Sequence, residues 1–158
     1  ADHLVVSLKS PWAGHPAGSL IALPTRPALQ AAQVATKSQV EAQVEVGGRS
    51  VGEAMFGSLP GLTVLFAGGQ ERRSLQSWTR TKNFLLLATL DNVKSRVSFW
   101  RYVPCETLGG CGRFEPSGDE AAGAIRGASL RAVDDDKSDL LWWTTNSFTR
   151  PSTLALAE

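Results

Sequence analysis

The stretch FLLLATLDNVKSRVSFWRY, from Phe84 to Tyr102, decides the fold class. Phe84 to Leu90 is an unbroken run of aromatic, aliphatic and β-branched residues, and Arg96 to Tyr102 repeats that character with polar residues interleaved. Both runs have the length and composition of strands rather than of helices. Between them lies Asp91-Asn92-Val93-Lys94-Ser95, whose Asp and Asn tolerate tight-turn conformations. The reading is two antiparallel strands joined by a five-residue hairpin loop.

The same signal continues on both sides. Upstream, Ser74 to Thr79 and Leu62 to Phe66 read as strands separated by the Gly68-Gly69 break. Downstream, Pro104 to Gly118 reads as a Gly-rich, Pro-containing loop. Ala128 to Val133 and Leu140 to Thr145 then make a second strand pair, and Thr153 to Leu156 follows Pro151 as a last strand. Near the start, Leu4 to Leu8 and Ser19 to Leu23 are strands around an irregular turn from Pro11 to Gly18.

One segment departs from this pattern. Ala28 to Ser38 is rich in Ala and Gln, and Pro27 suits a first helical position, so a helical excursion is expected there. Gln39 to Val46 alternates polar and apolar as a strand does, yet Val40 and Val44 also share a helix face, so both readings stay open. Gly47-Gly48 is a firm break, and the chain to Gly61 is loop-like.

Composition narrows the function classes. The 158 residues are 42% hydrophobic and 20% charged, which is globular rather than disordered. Sixteen basic against fifteen acidic side chains leave a net charge of +1. That balance gives no electrostatic footprint for a nucleic acid or an anionic membrane. No run approaches the roughly 20 apolar residues of a membrane span, and no secretory signal is read at the N-terminus, so a cytoplasmic location is expected. Cys105 and Cys111 flank a Gly-rich loop. In a cytosolic setting they read as ordinary thiols, although a loop-closing disulfide is open to them in an oxidising one.

The search for chemistry returns no catalytic, cofactor-binding or metal-binding residue. There is no Gly-x-Ser-x-Gly elbow, and the Gly pairs lack the Lys-Ser/Thr ending of a phosphate loop. His3 and His15, far from the cysteines in sequence, read as a strand-opening residue and a turn residue rather than as general bases. Glu41 with Glu45, and Asp134 with Asp136, have the spacing of paired carboxylates but read as solvated faces. The acidic run Asp134 to Asp139 invites a calcium reading, but it lacks the spaced ligands and the Gly of a calcium loop, which favours a solvated hairpin tip. Trp78, Phe84, Phe99, Trp100, Tyr102, Trp142, Trp143 and Phe148 lie in or beside strands and read as core packing ahead of ligand contact. In Phe99-Trp100 and Trp142-Trp143, neighbouring side chains point to opposite faces, as strands between two apolar layers require.

Three stretches carry a family resemblance. Trp78 to Val97 (WTRTKNFLLLATLDNVKSRV) resembles the segment of prolyl oligopeptidases in which a Trp-Thr strand leads into Leu-Asp-Asn-Val-Lys/Arg-Ser-Arg. Ser147 to Leu154 (SFTRPSTL) is similar to the Ser-Phe-x-x-Pro motif that closes their propeller, and Pro16 to Leu23 (PAGSLIAL) is similar to a strand that precedes both. Their order also matches. Arg26 to Ser58, the long Cys105 to Ala122 loop and the Ala155-Leu156-Ala157 ending depart from the pattern.

The resemblance implies an all-β fold: a partial β-propeller over residues 1–158, with two to three four-stranded antiparallel blades and a helical or irregular insertion at 26–58. The catalytic α/β-hydrolase domain of these serine peptidases is absent from the chain. Closing a propeller takes about four to eight blades, so 158 residues are short for the whole ring, and the missing initiator Met fits an excised, processed or incompletely sequenced stretch as well as a complete protein. The implied partners are the remaining blades, the hydrolase domain and, in the parent enzyme, short peptides cut after proline. No cofactor is implied. The propeller would gate substrate entry, and the chain alone would be inactive. Two alternatives stand: an autonomous β-sheet binding module, or a portion of a related propeller peptidase with different specificity.

Overall fold

The computed structural model describes residues 3–41, 45–46, 49–50, 59–92, 94–104, 112–121, 127–146 and 151–157. The chain divides into two compact units, residues 1–69 with 104–113 and residues 70–103 with 114–158. It is all-β apart from one helix, and the sheet pairings with a described register are antiparallel.

In the first unit, strands β1 (His3–Ser7), β2 (Leu20–Pro24) and β5 (Thr63–Phe66) form a sheet in the order β1-β2-β5. Between β2 and β5 come helix α1 (Thr25–Glu41) and a two-residue ladder of β3 (Glu45–Val46) with β4 (Arg49–Ser50). The central strand β2 is buried along its whole length and has a strand neighbour on each edge. Its Ile21 and Leu23 cluster with Leu8, against Val6, Trp12, Ala28, Leu59 and Leu62. The expected helix is present and longer than expected, with Pro27 inside the first turn, where its missing N–H costs no intrahelical bond. The two readings of 39–46 are both partly realised, since the helix runs to Glu41 and Glu45–Val46 is extended. Residues 47–48 and 51–58 lie outside the described residues.

The turn before β2 explains part of the Pro16 to Leu23 stretch. Trp12 and His15 each donate a backbone N–H to the other's carbonyl, at 2.9 and 2.8 Å. The Ser19 side chain, fully buried, donates to the Pro16 carbonyl at 2.7 Å and accepts the Gly68 N–H at 2.9 Å. A Cβ on Gly68 would stand 2.2 Å from the Ala17 carbonyl oxygen, so the backbones meet at a distance only glycine permits.

In the second unit, β6 (Arg73–Arg80), β7 (Phe84–Asp91), β8 (Lys94–Val103) and β9 (Arg113–Ala121) form a sheet in the order β6-β7-β8-β9. A second sheet runs β10-β11-β12, from β10 (Gly127–Ala132), β11 (Leu141–Asn146) and β12 (Thr153–Ala157). The β7–β8 ladder continues to Asp91 opposite Lys94, so the connection is two residues long and not the expected five. Asn92 takes the left-handed conformation, at φ 56°, which such a tight turn needs. The loop expected from Pro104 to Gly118 is also corrected, because Arg113 onward is strand β9. Pro116 and Gly118 hid it from a propensity reading. An outermost strand accepts Pro because one side of its backbone needs no ladder partner.

Among the described residues no helix is long and apolar enough to cross a membrane. Gly68→Ala should destabilise the chain by about 1–3 kcal/mol through forced backbone displacement. Ser19→Ala should cost about 1–3 kcal/mol by leaving the buried Gly68 N–H without an acceptor. Urea unfolding midpoints check both, and wild-type midpoints would contradict the packing described.

Candidate functional site

The described feature with the most organised chemistry is the junction of the two sheets of the second unit. It starts from strand alternation. Leu86, Ala88 and Val97 lie on one face of β7 and β8, at 0 to 1% exposure, and meet Leu130 of β10 and Leu141 of β11. Phe84, Phe99, Trp143 and Ala157 flank this layer, and the Phe84 and Phe99 rings meet edge to face at 6.5 Å. Strand β7 is buried on both faces from Leu85 to Thr89.

Polar groups seal one end of the junction. The β6–β7 turn meets the β10–β11 turn, and Asp139 receives three bonds from it. The Thr81 hydroxyl donates at 2.7 Å, the Asn83 backbone N–H at 2.8 Å and the Asn83 side-chain amide at 2.6 Å. Lys82 N–H donates to the Ser138 carbonyl at 3.2 Å. Arg80 bonds Asp135 at 2.9 Å and Asp136 at 2.6 Å. Asp134 caps its own turn by accepting the N–H groups of Asp136 and Lys137. Desolvation pushes the Asp139 carboxyl up. The Asn83 backbone bond, the Thr81 and Asn83 side-chain bonds and the nearby Lys82 charge outweigh it and hold the group below its ordinary value of 3.8.

The run forms the tip of the β10–β11 hairpin with Asp135 and Asp136 exposed, as the solvated-tip reading expects. Its carboxylates also accept bonds that join this turn to Arg80 and to the β6–β7 turn. Among the described residues no three His, Cys, Asp or Glu side chains converge as metal ligands. Asp134 accepts the Asp136 backbone N–H, while the Asp136 carboxylate pairs with Arg80 and that of Asp134 with Lys137. His15 sits in the tight Trp12–His15 turn and His3 in β1 opposite Pro24. Glu41 ends the helix and Glu45 lies in β3. Cys105, Cys111 and Phe148 lie outside the described residues.

The aromatic residues divide. Phe84, Phe99 and Trp143 pack in the junction, and Tyr102 packs against Phe114 at 5.6 Å. Trp78 and Trp142, however, are 42% and 41% exposed. The expectation that both faces of the Trp142–Trp143 strand meet apolar surroundings holds for Trp143 only, because Trp142 is on the outward face. Beside the polar seal runs an open groove of about 620 Å³ between the edge strands β6 and β10, lined by Trp78, Arg80, Arg131 and Val133 among others. It offers an indole, an aliphatic side chain and two guanidinium groups beside the Thr79 hydroxyl and the Asp134 and Asp135 carboxylates. Sequence reading missed this groove because it forms between strands some fifty residues apart.

Comparison with protein-family models, with curated proteins and with solved structures returns no match.

Asp139→Ala should destabilise the fold by about 1 kcal/mol, the scale of charge-assisted bonds discounted for partial exposure. A depressed carboxyl stabilises the fold above its unfolded value and loses that contribution as pH falls through the folded one. Wild-type stability should therefore drop below about pH 4, and Asp139→Ala should show a smaller drop. Urea titrations between neutral and acidic pH check this, and identical pH profiles would contradict it.

Proposed function

We propose that the chain is a non-catalytic portion of a β-propeller of the prolyl oligopeptidase type, acting by steric control of peptide access rather than by bond chemistry. The observation that carries this reading is the face-to-face stack of two sheets that succeed one another directly in sequence, β6 to β9 and then β10 to β12. Consecutive antiparallel sheets packed through apolar faces are what radial repetition requires. The ordered motifs at Pro16 to Leu23, Trp78 to Val97 and Ser147 to Leu154 support it. The second of these supplies β7, the doubly buried strand at the centre of the stack.

In this role the chemistry of hydrolysis belongs to a separate α/β-hydrolase domain. The chain's own contribution is a rigid wall whose sheets exclude large substrates. The competing reading, an autonomous binding module, draws on the exposed Trp78 and the groove beside it.

Two measurements test the proposal, and the first also separates it from the binding module. Sequencing the locus on both sides of the coding stretch should reveal an in-frame continuation with a Gly-x-Ser-x-Gly elbow downstream, and an intact open reading frame lacking one would overturn the proposal. The purified chain should also leave a chromogenic proline peptide uncut, and cleavage that survives removal of contaminating proteases would contradict it.

A further inference from the structure

The edge strands of the second unit are not protected alike. The edge strand β6 carries Arg73 and Arg80 and a register shift between Leu75 and Ser77. At the opposite edge, β9 carries Glu115 and Pro116. The β10 edge is approached by β6, whose Thr79 hydroxyl accepts the Ala132 N–H at 3.3 Å. Charge, proline, bulges and coverage are the devices that keep sheet edges from pairing with other chains. Strand β12 has none of them. It reads Thr-Leu-Ala-Leu-Ala, and no described strand pairs with its outer edge.

That edge is apolar on its outward face. Leu154 and Leu156 are 62% and 54% exposed, and Trp142 lies directly across the ladder from Leu156. Ala155, on the opposite face, is exposed as well. Among the described residues the strand therefore offers an unpaired row of backbone donors and acceptors together with a contiguous apolar row.

We infer that β12 pairs with β12 of a second copy of this chain, antiparallel about a two-fold axis at Ala155. The residue order selects this occupant. Turning the strand about Ala155 sets Leu154 opposite Leu156 of the second copy, Leu156 opposite its Leu154, and Ala155 opposite itself. Residues directly opposite share a face, so every leucine meets a leucine on the outward side and no charge is buried. The two three-stranded sheets merge into one of six strands. The row Trp142–Leu156 continues onto Leu154 of the second copy, and symmetry repeats it. The contact is isologous and closes at two chains. It rests on the edge and not on the functional reading above, and either can fail alone.

The test uses the 158-residue chain with Cys105 and Cys111 replaced by Ser, carrying Ala155→Cys or Thr153→Cys. Opposed Cα atoms in an antiparallel pair stand about 4.5–5.5 Å apart, within disulfide range. The two copies of residue 153 are offset by four residues, about 13 Å, and cannot bridge. Sedimentation should show a dimer, and mild oxidation should cross-link Ala155→Cys but not Thr153→Cys. Leu156→Lys should raise the dissociation constant about tenfold by removing both Leu–Leu pairs. A monomer at all concentrations, or a dimer in which Ala155→Cys fails to cross-link, overturns the inference.

Discussion

The second unit depends on one apolar layer, in which Leu86, Ala88 and Val97 of the four-stranded sheet press against Leu130 and Leu141 of the three-stranded one. Neither sheet has another described way to bury that face. Magnitudes rank the layer above the polar seal beside it. Removing one buried leucine from such a layer costs about 2–5 kcal/mol, whereas an exposed ion pair such as Arg80 with Asp135 is worth about 0–1 kcal/mol. The layer supplies the stability.

The polar seal supplies something different. The acceptors of Asp139 and the donors of Thr81 and Asn83 are directional, so they fix which turn sits against which. Apolar contact alone tolerates sliding of one sheet over the other. Three charge-assisted bonds at one end do not, and the groove between β6 and β10 owes its shape to that fixed alignment. A rigid, correctly aligned stack is the property a gating wall needs, and it links the fold to the proposed role.

Much of this was legible in the sequence, and the failures have physical causes. β7 and β8 announced themselves because Phe84 to Leu90 and Arg96 to Tyr102 satisfy both composition and length. Their loop was misjudged because Lys94 and Ser95 look like turn residues, yet they are held in the ladder by pairing. β9 escaped because Pro116 and Gly118 are poor strand formers that an outermost strand tolerates. The acidic run is exposed at its tip as read, but its bonds were not legible because their donors, Arg80, Thr81 and Asn83, lie more than fifty residues away. For the same reason nothing in the neighbourhood of Trp78 or Arg131 revealed the groove they share.

The stack itself is tested most directly by native-state hydrogen exchange on Leu130→Ala. If the apolar layer binds the two sheets into one cooperative body, the substitution in β10 should lower the opening free energies of β7, β8, β10 and β11 amides together and by similar amounts. Loss of protection confined to β10 and β11, with β7 and β8 unchanged, would show that the sheets open independently and would contradict the stack.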